Sequence, residues 1–127
     1  MNPWYEQLNR PEYTPPNWVF APVWTVLYVM IAVSVYLYYT TPEKQAVGLT
    51  TALLGVHLVS NFLWTHLFFR LQSPLLALID ILLLDVTLIV LIVLFWIVNR
   101  ISGALLIPYL LWVLFATYLN WGFHRLN

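Results

Sequence analysis

The sequence predicts an all-α membrane protein, a bundle of four transmembrane helices, and three observations carry that expectation. Apolar residues make up 62% of the chain and charged residues only 8%, whereas ordinary soluble domains carry about 25% charged residues. Five basic and five acidic residues on a chain of 127 cannot build a water-facing surface, so the solvent for most of the chain is lipid. The apolar residues fall into four runs, each near the ~20 residues that cross a ~30 Å hydrocarbon core as a helix. The connectors between the runs are short, which makes consecutive helices antiparallel neighbours in a single domain, residues 1–127.

The elements follow in order. Residues 1–21 are polar and rich in proline, with no basic stretch leading into an apolar core, so no cleavable signal is expected. The spans are expected at about 22–39, 43–68, 74–98 and 103–123. Pro22, Pro42 and Pro74 each suit a first helical position, where a missing N–H costs nothing. Thr41 and Ser73 precede two of them as N-caps, and Ser102 can cap the fourth span. Pro108 lies inside that span and is expected to kink it. Tyr36, Tyr38, Tyr39, Trp96 and Trp121 sit near span ends, as interfacial aromatics do. Arg10, Arg70 and Arg125 fall on one side of the bundle and Lys44 and Arg100 on the other, too small a bias to set orientation.

Several functions are excluded. The net charge is zero, which leaves no basic face for nucleic acid. There is no cysteine, so there are no disulfides, thiolate metal sites or thiol nucleophiles. No Ser–His–Asp arrangement or glycine-rich phosphate loop occurs, and no cofactor is expected. His57 and His66 have no third ligand at helical spacing, so no metal is expected either. His66 is placed at the interface.

Polar groups inside the spans are costly in lipid and usually face the bundle interior or a cavity. His57, Asn61 and Trp64 are spaced i, i+4, i+7 and share one face. Trp112, Ala116 and Asn120 form a similar stripe on the fourth span, and Trp24 and Tyr28 one on the first. A pocket lined by indoles with a few hydrogen-bonding groups suits a large, flat, mostly apolar ligand. Asn61 and Asn120 also suit interhelical bonding, and one residue can do both. Asp80 and Asp85 are about 140° apart around their helix and do not make a carboxylate pair. One of them is expected to pair with the second span or to lie near a wet mouth.

Four stretches carry a family resemblance. "WYEQLNRPEYTPPNWVFAPVWTVLY" (4–28), "NFLWTHLFF" (61–69), "LALIDILLL" (76–84) and "LLIPYLLWVLFATYLNWGFHRLN" (105–127) resemble, in this order, the tryptophan-rich sensory protein/translocator protein family, also called the peripheral benzodiazepine receptor family. The family fold has five transmembrane helices. The resemblance therefore implies a short form lacking the first helix, with a seam along the second span that a second protomer covers. A homodimer is expected on that ground.

The resemblance also implies a function. Family members bind porphyrins such as protoporphyrin IX, isoquinoline carboxamides and benzodiazepines, and some bind sterols. Carried over by motif, the ligand-binding residues are Trp4 and Tyr5, Trp24 and Tyr28, Asn61 and Trp64, Asp80, and Trp112, Ala116 and Leu119. Residues 1–21 become a lid over one end of the pocket, with Trp4, Tyr5 and Trp18 as its roof. An interfacial anchor is the alternative for that segment. Some bacterial relatives degrade protoporphyrin IX under light, and Trp24 and Trp112 match the positions tied to that chemistry. The expected function is a membrane binding or sensory protein for porphyrins and similar flat hydrophobic molecules. The alternatives are a light-dependent porphyrin-degrading enzyme and a small multidrug exporter. Exporters of that kind need a carboxylate in their first helix, and the first span here has none. A prokaryotic cell membrane is the expected location.

Overall fold

The computed structural model describes residues 3–42, 44 and 46–127. The expected start of the second span at 43, and the first two residues of the head, lie outside the described residues. Four helices are long and apolar enough to cross a membrane, as expected, and the described residues contain no strand. The elements are α1 (Pro3–Gln7), α2 (Asn17–Thr40), α3 (Val47–Thr65) continued by a π-helical turn (His66–Arg70), α4 (Pro74–Val98), α5 (Arg100–Leu105) and α6 (Ile107–Leu126).

Several boundaries differ from expectation, each for a local reason. α2 starts at Asn17, so Pro22 lies in its second turn. Pro16 is extended (φ −59°, ψ 150°) and launches the helix directly. Pro22 then forfeits only the bond to the carbonyl of Trp18, near an exposed helix end. Thr41 does not cap α3. It closes α2, with Oγ1 donating to Leu37 O at 2.6 Å and accepting from Asn99 Nδ2 at 3.1 Å. α3 begins only after Ala46, whose φ is 54°. Ser73 and Pro74 do start α4, and Ser73 Oγ accepts from Leu76 N–H at 3.2 Å.

The fourth span is two helices. Asn99, not Ser102, caps α5, its Oδ1 accepting from the N–H groups of Ile101 and Ser102 at 3.0 and 3.3 Å. Ser102 is instead fully buried against α2. Ser34 Oγ donates to Ser102 O at 2.6 Å and Ser102 Oγ donates to Ser34 O at 2.7 Å. The expected bend at Pro108 is a break at Leu106 between α5 and α6, because Pro108 has no N–H to offer the carbonyl of Ala104. Tyr38, expected at the interface, is 0% exposed and stacks on Phe95 with ring centroids 4.5 Å apart.

α4 is the central helix. It packs against α3, α5 and α6, and its inner face supplies Ile81, Leu84, Leu88, Leu91 and Phe95 to the core. α2 rests on α5. α2 and α3, by contrast, hardly touch along their length. Two side-chain bonds bridge them, Tyr28 Oη donating to Asn61 Oδ1 at 3.3 Å and Tyr39 Oη meeting Thr51 Oγ1 at 2.6 Å. The bundle is therefore closed on three sides and laced on the fourth.

The α4–α5 contact is close. A Cβ on Gly103 would lie 2.8 Å from the backbone of Trp96, so the two helices approach this closely only because the residue is glycine. Gly103→Ala is expected to lower stability by about 1–3 kcal/mol through overpacking. Thermal unfolding in lipid nanodiscs checks this, with Gly48→Ala, which meets nothing within 4 Å, as the control.

Candidate functional site

A cavity of about 260 Å³ lies where α2, α3 and α6 fail to close over α4. Its walls are Phe20, Trp24 and Tyr28 from α2, Asn61, Trp64 and Thr65 from α3, Ile81 and Leu84 from α4, and Trp112, Val113, Ala116, Leu119, Asn120 and Phe123 from α6. Phe68 and Phe69 of the π-helical turn and Tyr5 of the head complete it. More than half of these side chains are aromatic, and the polar ones are few, the usual make-up of a site for an apolar ligand.

The aromatic walls are built by helical spacing. Trp24 and Tyr28, one turn apart, stack with centroids 5.4 Å apart. Trp112 meets Trp24 edge to face at 6.3 Å, and the two planes are 89° apart. Trp64 stacks on Phe68 at 5.1 Å, and its indole N–H donates to Asn120 Oδ1 at 2.9 Å. Asn120 Nδ2 in turn donates to Pro74 O at 2.8 Å. Asn120 thus ties α6 to the start of α4 and orients a pocket indole at once. The indole N–H of Trp112 is buried with no acceptor among the described residues.

A hydrogen-bonded chain runs from the polar wall into the bundle behind it. Thr87 Oγ1 sends its proton back to the carbonyls of Leu83 and Leu84 at 3.0 and 3.1 Å. With the His57 proton on Nδ1, Thr87 Oγ1 accepts from it at 2.8 Å, and Nε2 is then the acceptor. Tyr109 Oη accepts from Asn61 Nδ2–H at 2.6 Å and donates to His57 Nε2 at 2.8 Å. Asn61 Oδ1 accepts from Tyr28 Oη. This assignment gives every hydroxyl and ring nitrogen of the chain a partner. One Nδ2–H of Asn61 is left over at the pocket surface.

The head closes one end. Tyr5 sits among Phe68, Phe69 and Phe123, with centroids 6.2, 5.6 and 5.3 Å away. Arg10 lies over the outer face of the Tyr5 ring at 4.9 Å. Burial pushes the Tyr5 phenol above its ordinary pKa, and the Arg10 charge opposes that shift. Polar bonds fasten the rest of the head to α6. Asn9 N–H donates to Asn127 Oδ1 and Asn127 Nδ2 donates to Asn9 O, both at 3.0 Å. Tyr118 Oη donates to Glu12 O at 2.7 Å. Pro11 rests directly on Gly122.

The structure brings together Tyr5, Trp24, Tyr28, Asn61, Trp64, Trp112, Ala116 and Leu119 around this cavity. Trp4 lies one layer out, edge-on to Phe68 at 5.4 Å. Trp18 is 75% exposed and roofs nothing, because the early start of α2 turns it outward. Asp80 faces away from the cavity. Its Oδ1 accepts from Ser60 Oγ at 2.6 Å, and it lines a shallow groove on the outer side of α3 with Thr51, Gly55 and Val59. Asp85 bonds across to α6, accepting from Thr117 Oγ1 at 2.7 Å. So one carboxylate pairs with the second span and the other with the fourth. Sequence reasoning passed over Tyr109, Phe68 and Phe69. Tyr109 was visible as the first member of the stripe Tyr109, Trp112, Ala116, Asn120. The two phenylalanines were not, because a π-helical turn shifts the helical period by a residue.

Comparison with known proteins identifies the family. The model of the TspO/MBR family matches residues 1–126. The chain is 41% identical to a tryptophan-rich protein TspO of Archaeoglobus fulgidus, over 98% of this chain and 80% of that one. It is 38% identical to a protein of the same name from Chlorobaculum tepidum, over 98% and 79%. It is 35% identical to the human translocator protein, over 98% and 75%.

The seat of Pro11 gives a test of the head. Gly122→Ala is expected to push Pro11 off α6 and loosen residues 3–14, since the added Cβ would overlap the Pro11 ring. Hydrogen exchange should speed up about tenfold or more in the head, with α4 unchanged.

Proposed function

The chain belongs to the TspO/MBR family and is an integral, multi-pass membrane protein, and on that premise we propose that its cavity binds a porphyrin or a similarly flat hydrophobic molecule. One observation carries this reading. Trp24, Tyr28, Trp64 and Trp112 wall a single cavity from three helices, and two polar residues with hydrogen-bond donors stand on its wall, Asn61 and Thr65. Large indole faces hold a planar π-system by dispersion and stacking. The donors suit a carbonyl or carboxylate at its rim. The sparse α2–α3 seam gives such a ligand a route in from the lipid, where it would be dissolved. The head then covers the wet end.

A second reading rests on the Trp24–Trp112 pair. Both indoles line the cavity in edge-to-face contact. A photoexcited porphyrin seated there would touch oxidisable side chains, and light-driven degradation would follow from the pigment's own chemistry with the protein supplying orientation. The expected homodimer also belongs to this proposal. The groove on the outer side of α3 is floored by small residues and borders Asp80, whose Oδ2 is buried without a partner among the described residues. A second copy laid there would pack against those small residues, as helices in lipid do. The archaeal and bacterial relatives support a prokaryotic cell membrane.

Titration with protoporphyrin IX in nanodiscs in the dark, read by tryptophan quenching, tests the binding. Saturable quenching is expected, and Asn61→Ala should weaken it by about 1 kcal/mol, roughly fivefold. Illumination of the same samples separates the two readings. Slow bleaching indifferent to Trp24→Phe/Trp112→Phe indicates a binding protein. Fast conversion to a new product, lost in that double variant, indicates an enzyme. Absence of saturable quenching overturns both.

A further inference from the structure

We propose that Tyr109 and His57 form a reserve redox unit beneath the pocket, in which Tyr109 returns an electron to an oxidised pocket tryptophan while its phenolic proton passes to His57. The inference deepens the reading of the pocket as a site for a photoactive pigment and adds a role for two buried residues that do not line it. The geometry supplies each requirement in turn. Tyr109 lies edge-on to Trp24 with centroids 6.4 Å apart, and Trp24 contacts Trp112. The phenol is 1% exposed and the imidazole 2% exposed, so water cannot take the proton. With His57 protonated on Nδ1, Tyr109 Oη donates to His57 Nε2 over 2.8 Å, within the reach needed for direct transfer.

The proton acceptor decides whether the step can occur. A phenol that loses an electron in a dry site becomes a strongly acidic cation, and burying that charge is costly. With a neutral imidazole already accepting from it, electron and proton leave together. The hydrogen-bond chain prepares this state. In the tautomer whose Nδ1 proton bonds to Thr87, Nε2 carries the lone pair, and Asn61 donates to the oxygen that becomes the radical.

A photoexcited planar chromophore takes one electron from Trp24 and becomes a radical anion, leaving an indole radical cation. Trp24 regains an electron from Tyr109. The Tyr109 O–H bond breaks, its proton bonds to His57 Nε2, and a neutral tyrosyl radical faces an imidazolium. Return of the chromophore's electron to Tyr109 and of the proton from His57 restores the starting state. Nothing is consumed, and the pocket indoles survive the flash.

The test needs no porphyrin, so its failure is distinct from failure of the binding proposal. The azide radical, a one-electron oxidant of tryptophan, is generated by pulse radiolysis with the full chain in nanodiscs, and absorbance and electron paramagnetic resonance follow the radicals. Tryptophan radical is expected to decay into tyrosyl radical in the wild type. Tyr109→Phe should abolish that conversion, and Tyr36→Phe, at an exposed position, should not. His57→Gln keeps an acceptor but not a base, and should slow the conversion at least about tenfold and remove its solvent isotope effect. That kinetic readout keeps the test decisive should Tyr109→Phe fail to fold. Wild type without tyrosyl radical, Tyr109→Phe with unaltered conversion, or His57→Gln with unaltered rate would each overturn the proposal.

Discussion

The phenol of Tyr109 holds four helices together. It belongs to α6, accepts from Asn61 and donates to His57 on α3. Asn61 carries the chain to Tyr28 on α2, and His57 carries it to Thr87 on α4. In lipid no water is at hand to satisfy a donor that loses its partner, so each group in such a chain constrains the next. Loss of one member would strand its neighbours in an apolar medium, at a cost of about 1–3 kcal/mol each.

The remaining interhelical polar contacts divide the work. Ser34 and Ser102 clamp α2 to α5, Ser60 and Asp80 join α3 to α4, and Thr117 and Asp85 join α6 to α4. None of these side chains faces the cavity. Because separate pairs hold the helices, the cavity wall is free to be aromatic. Trp64 and Asn120 are the exception, since their bond both fastens the bundle and sets a wall.

The two ends of the cavity obey different rules. Along the membrane-facing side, α2 and α3 are laced by two bonds and hardly pack. Such a seam opens at low cost, because little apolar contact is lost and lipid can replace it. At the wet end, the head buries Tyr5 among phenylalanines and ties its polar backbone to Asn127 and Tyr118. Prolines reduce the entropy lost on ordering that segment. One end is thus suited to admit an apolar molecule and the other to keep water out.

Composition and the length of the apolar runs by themselves determined that the chain is a four-span helical bundle, because lipid leaves a backbone hardly another choice. Helical spacing also marked which residues share a face, and so grouped Trp24 with Tyr28, Asn61 with Trp64, and Trp112 with Ala116. Caps were legible only where the chain acts locally, as at Ser73 and Pro74. Thr41, Ser102 and Tyr38 went elsewhere because each found a partner from a distant helix, in Asn99, Ser34 and Phe95. The same holds for the site. Which face of α4 turns its carboxylates toward α3 and α6 rather than the cavity, that Tyr109 links Asn61 to His57, and that a π-helical turn brings Phe68 and Phe69 under Tyr5 are settled by packing between helices. One sequence pattern is compatible with many such packings, and only the tertiary structure selects among them.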